Sequence, residues 1–296
     1  HLPAKDLPDA KFIVNPNQAT CNFPSKNLCG VGVIFYILLS LRKELRKLNR
    51  FLNESEPILS DLLDLVALGT IADLVKLDFN NRILVNYGMN KIRSGNCNLG
   101  IEALAYLSKK KLKNIKTSDL SFSIAPKINA AGRLDDMAIG IKCLIAKNKN
   151  EAENYAKQLV VFNEQRKLVE HKMKDEALAI LSDCIIEDNY TITMYDISWH
   201  QGVIGILASR LKEKFYRPTI IFAKDDSGFL KGSGRSIASF HLKDALDLIS
   251  KKYPDLILTF GGHAMAAGLT IKPENFKLFC AEFEMIAKEL ISLDDL

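Results

Sequence analysis

Residues 151–181 contain no glycine and no proline, and their apolar positions, among them Tyr155, Leu159, Phe162, Val169, Met173 and Leu181, recur at helical spacing. A helix of about 30 residues reaches roughly 45 Å, longer than most helices that sit within one domain. The chain changes texture across it. Before it, apolar residues fall into helical patterns; after it, short alternating or continuous apolar runs are interleaved with helices. The stretch is therefore read as a connector between two domains, in keeping with a length of 296 residues.

The opening is rich in turn residues (Pro3, Pro8, Asn15-Pro16-Asn17, Pro24), with Phe12, Ile13 and Val14 expected as a short strand. Helices are expected at 31–48, 61–72 and 81–93, the first ending in Arg42, Lys43, Arg46 and Lys47 as the helix dipole favours. Residues 98–148 read as several short helices around a lysine cluster, Lys109, Lys110, Lys111, Lys113 and Lys116. Past the connector, strands are expected at 190–195, 218–223, 229–235, 256–260 and 267–271, with helices at 203–215, 241–252 and 275–290. That is an α/β domain of roughly 110 residues.

Composition removes several classes. With 48% hydrophobic and 25% charged residues the chain is neither disordered nor collagenous. Its longest largely apolar run, Val31 to Leu41, falls short of the roughly 20 residues a membrane-spanning helix needs. The net charge of +5 suits a polyanionic ligand without demanding one. The six cysteines show no CxxC pair and no metal spacing, so they read as reduced core thiols of a cytoplasmic protein, and no signal peptide is visible.

Several segments could carry chemistry. Asp73 follows Gly69-Thr70 at the end of an apolar helix, as a helix-end cap or a metal ligand; lone carboxylates rarely bind metal. Arg133 follows the small residues of Asn129-Ala-Ala-Gly, where a phosphate could meet its fork; a helix N-terminus favoured by Asp135 and Asp136 explains the segment equally well. Trp199-His200-Gln201-Gly202 opens a helix after a strand, a place that binds anions, although Trp199 also suits a structural plug. Gly232-Ser233-Gly234-Arg235 brackets a serine with glycines before an arginine, which suits a phosphate-touching loop or a tight hairpin. Gly261-Gly262-His263 presents a histidine after a Gly-Gly turn, expected at a helix start; a core histidine is the bland alternative. No Walker A, GxGxxG or GxSxG pattern occurs.

Taken in order over nearly the whole chain, HLPAKDLPDA, VNPNQ, LLDLVALGTIADLV, INAAGRLDDM, WHQGVIGILASRLKEKFYRP, LKGSGRSI and FGGHAMAAG closely resemble the bacterial RecJ family of the DHH/DHHA1 phosphoesterase superfamily. GGHAMAAG is shared widely among DHHA1 domains, whereas INAAGRLDDM joined to WHQGVIGILASRLKE is more particular to this family. The resemblance implies an α/β fold of two lobes: the C-terminal part of a DHH domain (1–148), a connector helix (149–183) and a DHHA1 substrate-binding domain (184–296). It implies a metal-dependent, single-stranded-DNA-specific 5′→3′ exonuclease of DNA repair and recombination, using Mn²⁺ or Mg²⁺. Single-stranded DNA is the expected partner, with a single-strand-binding protein and a helicase as candidate protein partners and no membrane.

Residue by residue, His1 before Leu2-Pro3 resembles the second histidine of the Asp-His-His motif, which faces the scissile phosphate. Asp73 matches a catalytic metal ligand; Arg133, Ser233 and Arg235 match positions that hold DNA phosphates; Gly262 and His263 match the substrate-binding loop. The family's Asp-rich motifs would precede His1, and an OB-type domain would follow. The chain is therefore expected to be an excised piece of the catalytic core, and inactive alone. Two-metal hydrolysis holds its ions about 3.5–4 Å apart, and each ion wants about six ligands, more than Asp73 supplies. Two other functions fit the same residues: a DHH/DHHA1 phosphodiesterase for short oligonucleotides or cyclic dinucleotides, and a non-catalytic single-strand-binding module.

Overall fold

The computed structural model describes residues 7–52, 55–182 and 189–295. The chain divides inside one long helix into two units, 1–163 and 164–296.

The first unit is helical: α1 (Gly30–Lys47), α2 (Leu63–Ala72), α3 (Phe79–Arg93), α4 (Leu99–Leu107), α5 (Thr117–Asp119), a π-helical turn (Leu120–Ile124), α6 (Ala125–Leu134), α7 (Ala138–Leu144) and the start of α8 (Lys149–Ser182). α2 is apolar on nearly every side because helices surround it: Val66, Ala67, Leu68 and Ile71 are buried. The core around it gathers Met89, Ile92, Leu104, Ile115, Ile124 and Leu159. Gly69 lets α1 approach, since a Cβ there would lie 2.4 Å from Val31 Cγ1.

Two carboxylates, Asp64 buried and Asp78 half-buried, tie loops to helix starts. Asp64 accepts the backbone N–H of Asn98 (2.6 Å), whose own side chain accepts from Gly100 and Ile101 and caps α4. Asp78 caps α3 through the Asn81 N–H (2.9 Å) and also accepts from Ser25 (2.7 Å) and Asn27 (3.1 Å). Burial pushes the Asp78 carboxyl up, but those hydrogen bonds outweigh it and hold the group below its ordinary value. The turn-rich opening is thereby pinned to α3. The strand expected at 12–14 does not form: Phe12 and Val14 are exposed, and no strand pairs with them among the described residues. Local bonds close this loop instead, with Gln18 Nε2 donating to the Ile13 carbonyl (2.9 Å).

The second unit holds a mixed five-stranded sheet, β1 (Ile192–Tyr195), β2 (Thr219–Lys224), β3 (Leu230–Arg235), β4 (Thr259–Gly262) and β5 (Ala266–Ile271), in the order β1-β2-β3-β5-β4. β1 and β2 are parallel, which requires a crossover, and α9 (Ile204–Phe215) supplies it; the other pairs are antiparallel. α9 stops at Tyr216, which adopts a left-handed conformation two residues before Pro218. α10 (Leu242–Lys252) and α11 (Phe276–Leu290) cover the other face, where Phe222, Leu230, Leu246, Leu269, Phe279 and Phe283 form the core.

Among the described residues no helix is long and apolar enough to cross a membrane. The five described cysteines are free. Cys29 and Cys143 are buried, and burial pushes the Cys143 thiol up to about 11, as suits an inert core thiol. Cys184 lies outside the described residues.

Candidate functional site

The alternation along β3 separates its residues by face. Leu230, Gly232 and Gly234 point into the core. A Cβ at Gly232 would lie 2.5 Å from Leu269 Cδ2 and 2.6 Å from Phe222 Cε1, and one at Gly234 would lie 2.6 Å from Leu242 Cδ2. The segment is a strand, as expected from sequence, and Gly232 and Gly234 make room for large apolar neighbours on its core face. Lys231, Ser233 and Arg235 stand on the opposite face.

The strand register sets three cross-strand rows on that face. Lys231, Thr270 and Thr259 form the first, with Lys231 Nζ donating to Thr270 Oγ1 at 3.1 Å and the two threonine hydroxyls 3.1 Å apart. Ser233, Gly268 and Gly261 form the second. A Cβ at Gly261 would meet nothing within 4 Å, and one at Gly268 only the Gly232 carbonyl at 3.9 Å. Packing therefore does not ask for glycine at either place. Arg235 and Ala266 form the third row, beside the turn that begins at His263.

α9 packs over β2 and β3 on this side. Gly205 in its first turn sits so close that a Cβ there would lie 2.9 Å from Ser233 Oγ and 3.0 Å from Arg235 Nη2. Beyond α9 the β5–β4 side is open, with Gly268, Gly261, Thr259 and His263 exposed. Arg235 Nη1 donates to Ser233 Oγ (3.2 Å) and to the Gly234 carbonyl (2.8 Å), so guanidinium and hydroxyl are held together at the seam. An arginine fork beside a hydroxyl and a floor without side chains lets a phosphodiester backbone approach closely.

Gly262 and His263 lie at the tip of the β4–β5 hairpin, not at the expected helix start. Gly262 has φ +147°, and the His263 N–H donates back to the Ala266 carbonyl (2.8 Å), which reverses the chain. The Ala264 and Met265 carbonyls accept from the Leu242 and Ser236 N–H groups at 2.9 and 3.0 Å, anchoring the tip. The His263 side chain is exposed on the end that carries Arg235.

Trp199 is a plug. It is 3% exposed, and its indole N–H donates to Glu176 Oε2 at 3.1 Å. The loop before it is held by Asp196, whose Oδ1 accepts the Ser198 hydroxyl (2.7 Å) and N–H (2.8 Å); those bonds hold its carboxyl below the ordinary range.

The remaining expected residues stand elsewhere. His1 lies outside the described residues. Asp73 is the C-cap of α2, exposed, and its carboxylate has no hydrogen bond or ion pair among the described residues. It thus caps nothing with its side chain, and it sits at the helix end where the dipole disfavours negative charge. Arg133 occupies the last turn of α6, and the helix N-terminus weighed from sequence follows it, where Asp136 accepts the Ala138 N–H (2.9 Å) at the start of α7. Among the described residues no three His, Cys, Asp or Glu side chains cluster as a metal site. Those residues alone do not fit a two-metal centre.

Sequence reasoning singled out Ser233, Arg235, Gly262 and His263 and the glycine-rich stretch from Gly261 to Gly268, but gave no role to Gly205 and did not set Gly261 and Gly268 in one row with Ser233. Period-two alternation in LKGSGR and AAGLTI was the available signal, since it sets the glycines of β3 and β5 on opposite faces.

Comparison with known proteins gives the family. Residues 187–289 match the DHHA1 domain family. The single-stranded-DNA-specific exonuclease RecJ of Haemophilus influenzae is 49% identical over 295 residues, covering 99% of this chain and 51% of that protein. RecJ of Escherichia coli is 49% identical over 295 residues, covering 98% and 51%. The chain thus spans about half the length of these curated relatives. A crystal structure of exonuclease RecJ bound to manganese superposes with a TM-score of 0.76 at 30% identity, covering 100% of this chain and 71% of that one. RecJ from Thermus thermophilus in complex with Mg²⁺ gives a TM-score of 0.76 at 31% identity, over 91% of this chain and 39% of that one. With that coverage and identity, the chain belongs to the RecJ exonuclease family.

Proposed function

We propose that this chain serves a metal-dependent, single-stranded-DNA-specific 5′→3′ exonuclease of DNA repair and recombination, and that its second unit grips the strand. The observation that carries the proposal is the row Ser233, Gly268, Gly261, flanked by Arg235 and His263: two glycines that packing does not require, beside an arginine and a hydroxyl. Arg235 and Ser233 would hold a phosphate, His263 would donate to the strand from the hairpin tip, and Gly262 fixes the turn that presents it. Arg133 is a further phosphate contact on the first unit. The organisation follows the family: part of a DHH domain over 1–148, a connector over 149–183 and a DHHA1 domain over 184–296.

RecJ relatives are solved with Mn²⁺ and Mg²⁺, and such an ion would supply Lewis-acid chemistry. Asp73 is offered as one ligand, supported by its carboxylate at the unfavourable end of α2, which has no partner among the described residues; His1 would face the scissile phosphate. The described residues do not complete the ion's site, so their own part is to bind and orient the strand. The working place is the cytoplasm, with a single-strand-binding protein and a helicase as candidate partners.

A chimera tests this function: the chain replaces the matching 295 residues of E. coli RecJ. With Mn²⁺, labelled single strands should be shortened from the 5′ end and blunt duplex spared. Asp73→Ala should abolish turnover, and Arg235→Gln should raise KM with a smaller effect on kcat. A folded chimera that consumes only dinucleotides would overturn the proposal.

A further inference from the structure

The lysine cluster between α4 and α5 has no part in the function above. Lys109, Lys110, Lys111, Lys113 and Lys116 are all exposed, and the segment borders an open cavity of about 500 Å³. Lys110 pairs with Asp119 at 2.7 Å; the other four form no ion pair among the described residues. Solubility and the α4 dipole account for a basic residue or two after a helix. They do not account for Lys109, which closes α4 with φ +57°, in the left-handed region where glycine is usual. The closing bonds are those of an ordinary helix stop, Lys110 N–H to the Ala105 carbonyl and Lys109 N–H to the Tyr106 carbonyl, both 2.9 Å.

Two exposed aromatic residues bracket the cluster along the chain, and Tyr106 also borders a pocket lined by Glu102, Lys149 and Glu153. Tyr106 is 75% exposed at the end of α4, and Phe122 is 79% exposed in the π-helical turn, an irregularity that recurs at functional sites. The Ser108 hydroxyl contacts the Ser123 carbonyl at 3.4 Å, which brings the two ring-bearing segments side by side. Lysines in excess over carboxylates, with an exposed aromatic residue on either side of the segment, are the combination that single strands use: phosphates meet the charge and bases stack on the rings. An acidic peptide would engage the lysines and leave the rings idle.

We infer that the Lys109–Lys116 loop, with Tyr106 and Phe122, is a second contact surface for single-stranded DNA. It shares no residue with the Ser233–Gly268–Gly261 row, and it rests on the proposed single-strand function.

The test uses the whole chain in EDTA, so that nothing is cut, with a labelled oligo-dT followed by fluorescence anisotropy across a salt series. Changing Lys109, Lys111 and Lys113 together to Gln should lower the slope of log K against log[salt] by about 2, at about 0.7 per lysine. Tyr106→Ala should weaken binding about tenfold with the slope unchanged, and Tyr106→Phe should bind as the parent does. If the lysine variant matches the parent while Arg235→Gln binds more weakly, the loop is only a solvated surface and the inference fails alone. If the parent binds no single strand, the inference falls together with the proposed function. If the lysine variant loses affinity for poly-glutamate and keeps it for oligo-dT, the loop is a protein site and the inference is wrong.

Discussion

At the scale of single residues, glycine has opposite meanings within one sheet. Gly232 and Gly234 are filled around by Leu269, Phe222 and Leu242, so alanine at either must push a core side chain off its rotamer. Each substitution is expected to lower unfolding free energy by about 1–3 kcal/mol in a urea titration. Gly261 and Gly268 face open space, and alanine there should leave the urea midpoint nearly unchanged while weakening single-strand binding. A loss of stability at Gly268→Ala equal to that at Gly232→Ala would remove the argument for a platform. Asp73 shows a second kind of conflict. Its carboxylate lies at the negative end of α2 without a partner among the described residues, so Asp73→Asn should raise stability by about 0.3–1 kcal/mol. The same change should abolish turnover in the chimera, a trade of stability for function measured on one variant.

At the scale of elements, helices α10 and α11 are clamped by Glu282. Its carboxylate accepts from Lys252 Nζ (2.8 Å) and the Tyr253 hydroxyl (2.9 Å). The hydrogen bond from Lys252 is the main reason its carboxyl sits below the ordinary 4.5. A depressed carboxyl contributes stability that is present above pH 4.5 and lost as pH falls through the lower folded value. The Lys252 ammonium is raised above 10.5 by the same bond, so its share is lost only as pH rises past that value. Glu282→Gln should therefore flatten the acid limb of a stability–pH curve below about pH 4.5. At neutral pH the loss should be small, because Lys252 is half exposed and solvent screens the pair. An acid limb unchanged by the substitution would show that other carboxylates govern it.

At the scale of the whole molecule, each unit has its own apolar core, one around α2 and one between the sheet and α10–α11. DNA chemistry asks for more than either core supplies. On the proposed function, Ser233, Arg235 and His263 of the second unit and the lysine loop of the first would each bind a strand, whereas the described residues hold no cluster of three metal-ligating side chains. The purified chain is expected to bind single-stranded DNA with strong salt dependence and, given Mn²⁺, to release no nucleotides. Nucleotide release that disappears with Asp73→Ala would show that this chain completes a metal site by itself.

The sequence by itself determined the order and kind of most elements. Helical spacing over 151–181 without a breaker, the continuous apolar run at β2 and the alternation at β3 are local properties, written in the period of the side chains. It also marked Arg235 and His263, because their motifs are compact in the chain. Only the tertiary structure decided what the glycines mean, since a missing Cβ is explained by what lies across the strand: Leu269 against Gly232, and open space over Gly261. It decided too that Phe12–Val14 is not a strand among the described residues, because a strand requires a pairing partner. Gly205 joined the site for the same reason: helix and strand meet there from distant parts of the chain, and no local pattern encodes that distance.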